Sequence, residues 1–561
     1  MRKGLLQRCR DLVRQDLNLR MVARVLGTFL TGFSLLMFVP VLVHVLAGGS
    51  IVEGDRNLFV GFGAAALVGG LSGMTLFRIG RQSDADFFRR EGLLAVALVW
   101  ILTGLLGGLP FWFTGSVQGY WDGVFEAISG MTTTGSSIFG AGGNPAIEDL
   151  PTAVLFWRAL LHWVGGIGIV VMFLVFLPAL GITEKKLFQA EVAGVSKEGV
   201  KPRIRESANA LVRIYLAITL FLLLGFWVLG MGLFDAVCHS FATIATGGFS
   251  TKNGSVGQFQ SVWIELLAIL GMFLAAANFG LYFRVETLFR KAAKGRWFPR
   301  LHDLPRFREI RRIFWSDPEW RLYFAICVGL SLIIAVDLWL GHGSVVPSAE
   351  FDRHHDYGHV GECLRDSTFQ TVSLVSSTGF ANSNLHSWPM LAQLLILVAM
   401  FGGGCSGSTG GGLKLVRVLV IVSYVRFVLR RFIRPRSVEP FQIRGTRIDQ
   451  DAVDGIFALF VLWVLVLVFG TLTVSLLEPR VDGLTCFASV LTCLSNMGPG
   501  FSALTPDSVT PANALAMDIG SYGSFGAYPA SVKALLSFTM ILGRLEIYTA
   551  LIVFLPSFWK D

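Results

Sequence analysis

Residues 131–140 read MTTTGSSIFG, a run of Thr, Ser and Gly inside a chain that is otherwise largely apolar. Related turns recur at Thr246-Gly247-Gly248-Phe249, Ser377-Thr378-Gly379-Phe380 and Asn496-Met497-Gly498-Pro499. Their glycines, Gly135, Gly247, Gly379 and Gly498, stand about 112 to 132 residues apart. Each turn closes a half-length apolar segment: WDGVFEAISGMTTTG, FDAVCHSFATIATGG, RDSTFQTVSLVSSTG and VDGLTCFASVLTCLSNMG. Each segment carries an Asp near its start (Asp122, Asp235, Asp366, Asp482), which suits a helix N-terminus by capping and by the helix dipole. None is long enough to cross a bilayer, so each enters and leaves on one face. In lipid, non-helical backbone survives only where it is buried or lines water. Four such turns in matched places are read as converging on one axis and lining an ion pathway.

The bulk composition agrees. Of 561 residues, 53% are hydrophobic and only 15% charged, where a soluble domain carries nearer a quarter. Ten segments have the roughly 20 apolar residues that a span needs: 21–47, 57–79, 93–113, 154–180, 214–233, 262–283, 322–340, 391–428, 456–477 and 532–554. The eighth is too long for one span and is broken in the middle. Lys and Arg crowd the N-terminal arm and the loops 80–91, 181–213, 284–321 and 429–455, so both termini are expected on the cytoplasmic side. The net charge of +9 therefore belongs to cytoplasmic loops, and no nucleic-acid partner is expected; the basic loop 284–321 is expected to meet lipid headgroups, with docking of a regulatory partner as the alternative. The basic N-terminus lacks a short apolar core with a cleavage site and is not read as a signal peptide. The seven Cys show no metal or redox spacing and read as core residues.

The expected fold is an all-α integral membrane protein of ten transmembrane helices. Two lie at the N-terminus, and four helix–pore-helix–helix repeats surround a central pore. The expected organisation is an arm with two extra helices at 1–86, then pore repeats at 87–205, 206–300, 301–437 and 438–561, the third holding a gate loop.

A dehydrated monovalent cation needs several oxygens at one radius, and backbone carbonyls with Thr or Ser hydroxyls supply them without full charges. Thr133, Thr134, Gly135, Thr246, Gly247, Thr378, Gly379, Asn496, Met497 and Gly498 are the candidates. No carboxylate lies in the turns, which argues against a divalent ion. Met497 stands where the others have Thr, so the four-fold pattern holds only in outline. FGGGCSGSTGGG, Phe401–Gly412, breaks the eighth span near mid-membrane and is expected under the turns. Its Gly403, Gly404, Ser406, Ser408, Thr409, Gly410 and Gly411 are candidate gate residues, with the three hydroxyls lining a wet passage. The loop lacks the GK[ST] of a phosphate loop, since Gly412 is followed by Leu413-Lys414-Leu415. Arg544, inside the last span, is costly there and points to a water-facing function, an electrostatic barrier in a cation path. A carboxylate partner for it is the competing reading. Asn278 and Lys414 are weaker candidates for holding the loop. His162 fits a hydrogen-bonded helix crossing. The outer His342, His354, His355 and His359 lack a recognised ligand spacing. No nucleophile–base pair or HExxH is present, so no enzyme is expected.

Together the turns TTTGSS, ATGGFST, SSTGF and SNMGPG, with GGGCSGSTGGGLK and GRLE, resemble the Trk/Ktr/HKT superfamily of potassium transporters over almost the whole chain. The two extra N-terminal spans and FWRALLHWVGGIGI (156–169) are more similar to the bacterial Trk potassium-uptake membrane subunit than to Ktr. The alanines of FLAAANF (273–279) and the long His-rich outer stretch 341–365 depart from the pattern. The resemblance implies K+ as bound and transported ion, with carbonyls of Thr134, Thr246, Thr378 and Met497 as its ligands and Gly135, Gly247, Gly379 and Gly498 as filter glycines. It implies that 401–412 is the intramembrane gate and that Arg544 projects into the pore. It further implies a homodimer in the bacterial cytoplasmic (inner) membrane and a cytoplasmic, nucleotide-binding regulatory subunit. A sodium- or proton-coupled symporter with alternating access is the alternative; it predicts inverted repeats, whereas these run in one direction.

Overall fold

The structure, a computed structural model, describes residues 17–48, 56–82, 89–180, 200–293, 305–341, 357–434, 440–443, 446–502 and 518–559. The N-terminal arm before Leu17, Lys185, Lys186 and Lys197, and His342, His354 and His355 lie outside the described residues.

The chain is helical. In order come α1 (Leu19–Leu36), α2 (Phe38–Leu46), α3 (Arg56–Gly80), α4 (Arg89–Phe113), α5 (Tyr120–Met131), α6 (Thr152–Leu180), α7 (Val200–Val228) and α8 (Leu233–Ile244). Then come α9 (Val262–Ala275), α10 (Phe279–Ala293), α11 (Phe307–Ser316), α12 (Pro318–Leu340), α13 (Val360–Val375), α14 (Met390–Ala399) and α15 (Leu415–Ile433). The last are α16 (Gln450–Leu477), α17 (Gly483–Ser495), α18 (Ala530–Arg544), α19 (Tyr548–Leu551) and α20 (Pro556–Trp559). A two-residue antiparallel ladder, Gln442–Ile443 with Thr446–Arg447, precedes α16. Helix α7 begins at Val200, so the boundary expected between 205 and 206 runs inside it.

Among the described residues, six helical stretches are long and apolar enough to cross a membrane, or eight if each of two bent pairs counts as one span. Both bends fall inside segments read from the sequence as spans, 262–283 and 532–554. Helix α9 stops at Ala275 and α10 leaves at 92°; α18 stops at Arg544 and the chain turns by 116°. The first break is held by bonds from elsewhere: Cys405 N donates to Ala276 O at 2.9 Å and Thr409 Oγ1 to Ala275 O at 3.1 Å. Asn278 Oδ1 then caps the new helix at Gly280 N, 2.8 Å away. At the second break Glu546 and Ile547 take positive φ (57° and 55°), and Ile547 N returns to Leu542 O at 2.8 Å. The eighth expected span is broken as read, with α14 and α15 flanking residues 400–414.

Start signals explain several elements. Asp317 caps α12 through Trp320 N at 2.9 Å with Pro318 following, and Asp482 caps α17 through Thr485 N at 2.9 Å. Asp122 sits in the first turn of α5 and accepts from Gly119 N at 3.1 Å. Asp366 differs from expectation: α13 starts at Val360, so Asp366 lies inside the helix and its carboxylate meets Arg365 and Asn382 instead. Packing is close where glycine permits it. A Cβ on Gly108 of α4 would stand 2.7 Å from Val124 N of α5. Trp157 of α6 is buried beside them and donates to Gly107 O at 3.0 Å. Cys238, Cys327, Cys363, Cys405, Cys486 and Cys493 are buried and form no disulfide among the described residues.

Candidate ion pathway

Helices α5, α8, α13 and α17 end alike. After the last helical residue the chain enters the left-handed region at Thr133 (φ 54°), Thr246 (53°), Ser377 (59°) and Asn496 (51°). The next amide reaches back five residues in each case: Thr134 N to Ser129 O (2.9 Å), Gly247 N to Ala242 O (2.8 Å), Thr378 N to Ser373 O (2.8 Å) and Met497 N to Thr492 O (3.0 Å). This is a Schellman-type stop, where Gly is usual. Left-handed Thr or Ser costs roughly 1–2 kcal/mol per residue, whereas Asn tolerates that conformation. Thr133 and Thr246 are β-branched, the least suited to it. Strain at three of the four equivalent places is the pattern expected of a functional constraint.

The next residue restores the chain direction, with φ 85° at Gly135, 83° at Gly248 and 82° at Gly379. The second turn is therefore shifted by one from the reading that paired Gly247 with Gly135 and Gly379. Gly248 is the equivalent glycine, Gly247 stands with Thr134, Thr378 and Met497, and Thr246 stands with Thr133. Exposure agrees: Gly135, Gly248 and Gly379 are partly exposed between buried neighbours. Gly498 departs, being buried and without positive φ.

The four turns touch in a closed circuit. A Cβ on Gly135 would press on Gly247 O, and one on Gly248 on Thr378 O. One on Gly379 would stand 2.7 Å from Gly498 N, and one on Gly498 3.1 Å from Gly135 O. Among the described residues no donor reaches the carbonyls of Thr134, Gly247, Thr378 or Met497. Buried carbonyls are almost always paired, so four free ones on converging turns form a ready set of cation ligands. The negative ends of four helix dipoles close on the same place.

A polar collar fixes the turns from behind. His162 of α6 uses Nδ1 toward Gly130 O (2.8 Å) and Nε2 toward Phe249 N (3.2 Å), joining the first turn to the second. Arg158, one helical turn earlier, pairs with Glu126 at 2.7 Å and donates to Ser250 O at 3.0 Å. Glu126 in turn accepts from Ile138 N at 3.0 Å. Between second and third, Gly257 N donates to Ala381 O (3.1 Å). Between fourth and first, Asn496 Nδ2 donates to Thr134 Oγ1 (3.0 Å) and Ser136 Oγ to Gly498 O (3.0 Å), while Lys533 pairs with Asp122. Glu126 and Arg158 escaped the sequence reading, although each is an isolated charge in an apolar segment and that signal flags function.

The loop 401–414 lies against the helix-side face of the circuit. Thr409 Oγ1 donates to Ile244 O at 3.0 Å, and Gly411 N donates to Ser377 Oγ at 2.7 Å. A Cβ on Gly410 would stand 3.0 Å from Ser376 O, and one on Gly411 2.7 Å from Ser495 O. Glycine is what lets this loop approach three helix ends at once. Ser408 and Thr409 are buried with bonded hydroxyls, and of the three loop hydroxyls Ser406 Oγ is the one without a partner. Lys414 Nζ bonds Gly410 O inside the loop, and Phe279 N, next to Asn278, donates to Gly407 O at 3.3 Å. Glu319 Oε1, unforeseen in the sequence, accepts from both Ser406 N (2.6 Å) and Val416 N (3.0 Å).

Arg544 ends α18 and is buried. Nη1 donates to Thr409 O at 2.8 Å and Nη2 to Gly165 O at 3.3 Å, and its Nε has no partner. Glu546 is not its counterion, because Glu546 pairs with Arg417. A guanidinium thus sits against the loop at Thr409.

Residues 71–560 match the family model described as TrkH, cation transport protein. The Trk system potassium uptake protein TrkH of Vibrio parahaemolyticus is 33% identical over 548 residues, covering 97% of this chain and 100% of the relative. The chain belongs to the TrkH family of cation transport proteins. TrkH of Escherichia coli is 31% identical over 547 residues, with 97% and 100% covered, and TrkG of that organism 29% over 546, with 97% and 99% covered. The crystal structure of the potassium transporter TrkH from Vibrio parahaemolyticus superposes with a TM-score of 0.77 at 32% identity, covering 96% of this chain and 99% of that one. Membership makes this TrkH-family chain a membrane transporter and not an enzyme.

Proposed function

We propose that this TrkH-family protein takes up potassium through the circuit of four turns. The observation that carries the reading is the set of four carbonyls, of Thr134, Gly247, Thr378 and Met497, left without donors on turns that touch in a ring. Carbonyls of this kind replace the hydration shell of a monovalent cation, and the strained residues before them hold the radius. The hydroxyls and carbonyls of Thr133, Thr246, Asn496 and the glycines Gly135, Gly248, Gly379 and Gly498 complete the path. Potassium is the cargo named for the relatives.

Loop 401–414 and Arg544 then act as a gate in series with the ring. The loop closes off the helix side, and the guanidinium repels a cation that leaves the carbonyls. Opening requires Thr409 and Gly411 to leave the helix ends. The wider reading is a ten-span chain of four pore repeats in the bacterial inner membrane, with cytoplasmic termini, working as a homodimer with a cytoplasmic nucleotide-binding subunit.

The test is purified protein in liposomes, with potassium, rubidium and sodium flux measured across imposed pH and sodium gradients. Potassium and rubidium flux exceeding sodium flux supports the reading. Absence of potassium flux with folded protein overturns it. Flux that needs a proton or sodium gradient replaces a simple pore with coupled transport.

A further inference from the structure

Helix α11 carries Arg308, Arg311, Arg312 and Trp315 at i, i+3, i+4 and i+7, which puts them on one face. With Ser316 they line an open cleft of about 570 Å3. All three guanidiniums are exposed. Glu286 on neighbouring α10 is held by Arg213 and Arg290, and among the described residues no ion pair engages Arg308, Arg311 or Arg312. Arg306 adds a fourth positive charge, against a single exposed Glu309.

The surroundings are those of a bilayer interface. Phe307 is 79% exposed and Trp315 45%, on the same short helix as the arginines. Phe314 packs on Tyr282 (6.0 Å between rings) and Trp320 (5.5 Å), while Trp315 sits edge-on to Trp320 at 5.2 Å. Asp317 ends α11 and caps α12, a helix long and apolar enough to span. Aromatic residues favour the headgroup level, and planar guanidiniums match phosphate oxygens in pairs.

We propose that this cleft binds the phosphate headgroup of an anionic phospholipid in the leaflet that the Lys and Arg distribution assigns to the cytoplasm, and that the bound lipid steadies the gate loop. The second half rests on the gating reading above. The connection is short: Glu319, three residues after Ser316, holds Ser406 N and Val416 N. A headgroup that immobilises α11 immobilises the start of α12 and with it the carboxylate that ties the middle of the loop to the first turn of α15.

The experiment compares wild type with R308Q/R311Q/R312Q, titrating delipidated protein with phosphatidylglycerol, phosphatidylcholine or inorganic phosphate and counting bound molecules by native mass spectrometry. Wild type is expected to prefer phosphatidylglycerol, and the triple variant to lose roughly 100-fold in affinity for it. Equal phosphatidylglycerol binding by both proteins overturns the site. Full displacement of the lipid by millimolar inorganic phosphate assigns the cleft to a soluble anion and overturns the lipid reading. Liposome flux is the second readout. Wild-type flux is expected to change with the phosphatidylglycerol fraction, and flux of the triple variant to ignore it. Lipid binding without any effect on flux overturns the link to the loop and leaves the site standing. Absence of potassium flux in every lipid overturns the transport reading instead, because the binding titration does not depend on it.

Discussion

Nε2 of His162 accepts a hydrogen bond from Phe249 N at 3.2 Å. Its other nitrogen then carries the proton donated to Gly130 O, so one neutral ring joins two turns separated by more than a hundred residues. His162→Ala leaves an amide and a carbonyl unpaired beside a new cavity, a loss of about 2–5 kcal/mol. The expected result is a lower unfolding temperature in detergent and a smaller ratio of potassium to sodium flux. His162→Gln, which keeps a donor and an acceptor, is expected to recover part of both. Unchanged selectivity in the alanine variant would show that the bridge is dispensable.

The shifted register of the second turn makes a separate prediction. Gly135→Ala, Gly248→Ala and Gly379→Ala place a methyl on the neighbouring turn and demand a positive φ of a residue that resists it. Each is expected to cut potassium flux by at least about tenfold, the effect of 1.4 kcal/mol. Gly63→Ala, with open space around it, serves as the silent control. Wild-type flux from folded Gly248→Ala protein in liposomes would remove Gly248 from the ring.

Thr409→Val keeps the shape of the side chain and deletes its bonds to Ile244 O and Ala275 O. One hydroxyl proton shared between the two carbonyls, worth about 1 kcal/mol, shifts a closed-to-open equilibrium by roughly fivefold. Faster potassium flux is therefore expected from stopped-flow measurements on liposomes. Slower flux would mean that the hydroxyl serves the open state.

Arg544→Ala removes both the charge and the bonds to Thr409 O and Gly165 O. Flux is expected to rise, and Arg544→Lys, which keeps the charge, to stay nearer wild type. Loss of folded protein in the alanine variant with normal flux in the lysine variant would make the residue a structural tie.

Much of this was legible in the sequence, for physical reasons that differ by element. The four turns announced themselves because lipid tolerates Thr, Ser and Gly backbone only where something else surrounds it. The break at Phe401–Gly412 was equally plain, since seven glycines in twelve residues offer a helix little. The bends after Ala275 and Arg544 were not legible. They depend on carbonyls accepting bonds from Cys405 and Thr409, or on local left-handed turns at Glu546 and Ile547, and apolar periodicity is blind to both. The register of the second turn was ambiguous because Gly247 and Gly248 are adjacent; only the backbone angles separate them. Arg158 and Glu126 stood as charges in apolar segments and Glu319 at a span boundary, but the partners that give them a role come from other parts of the chain.

The bond from Asn496 to Thr134 spans 362 residues. A chain that enters the membrane from its N-terminus therefore inserts three sides of the ring before the fourth exists. Contacts of such separation form late in folding. Until α17 and α18 arrive, the first turn lacks its neighbour and no set of carbonyls stands at a common radius. On the potassium-pore reading, a half-made protein, during synthesis or after premature termination, has no complete ring of carbonyls.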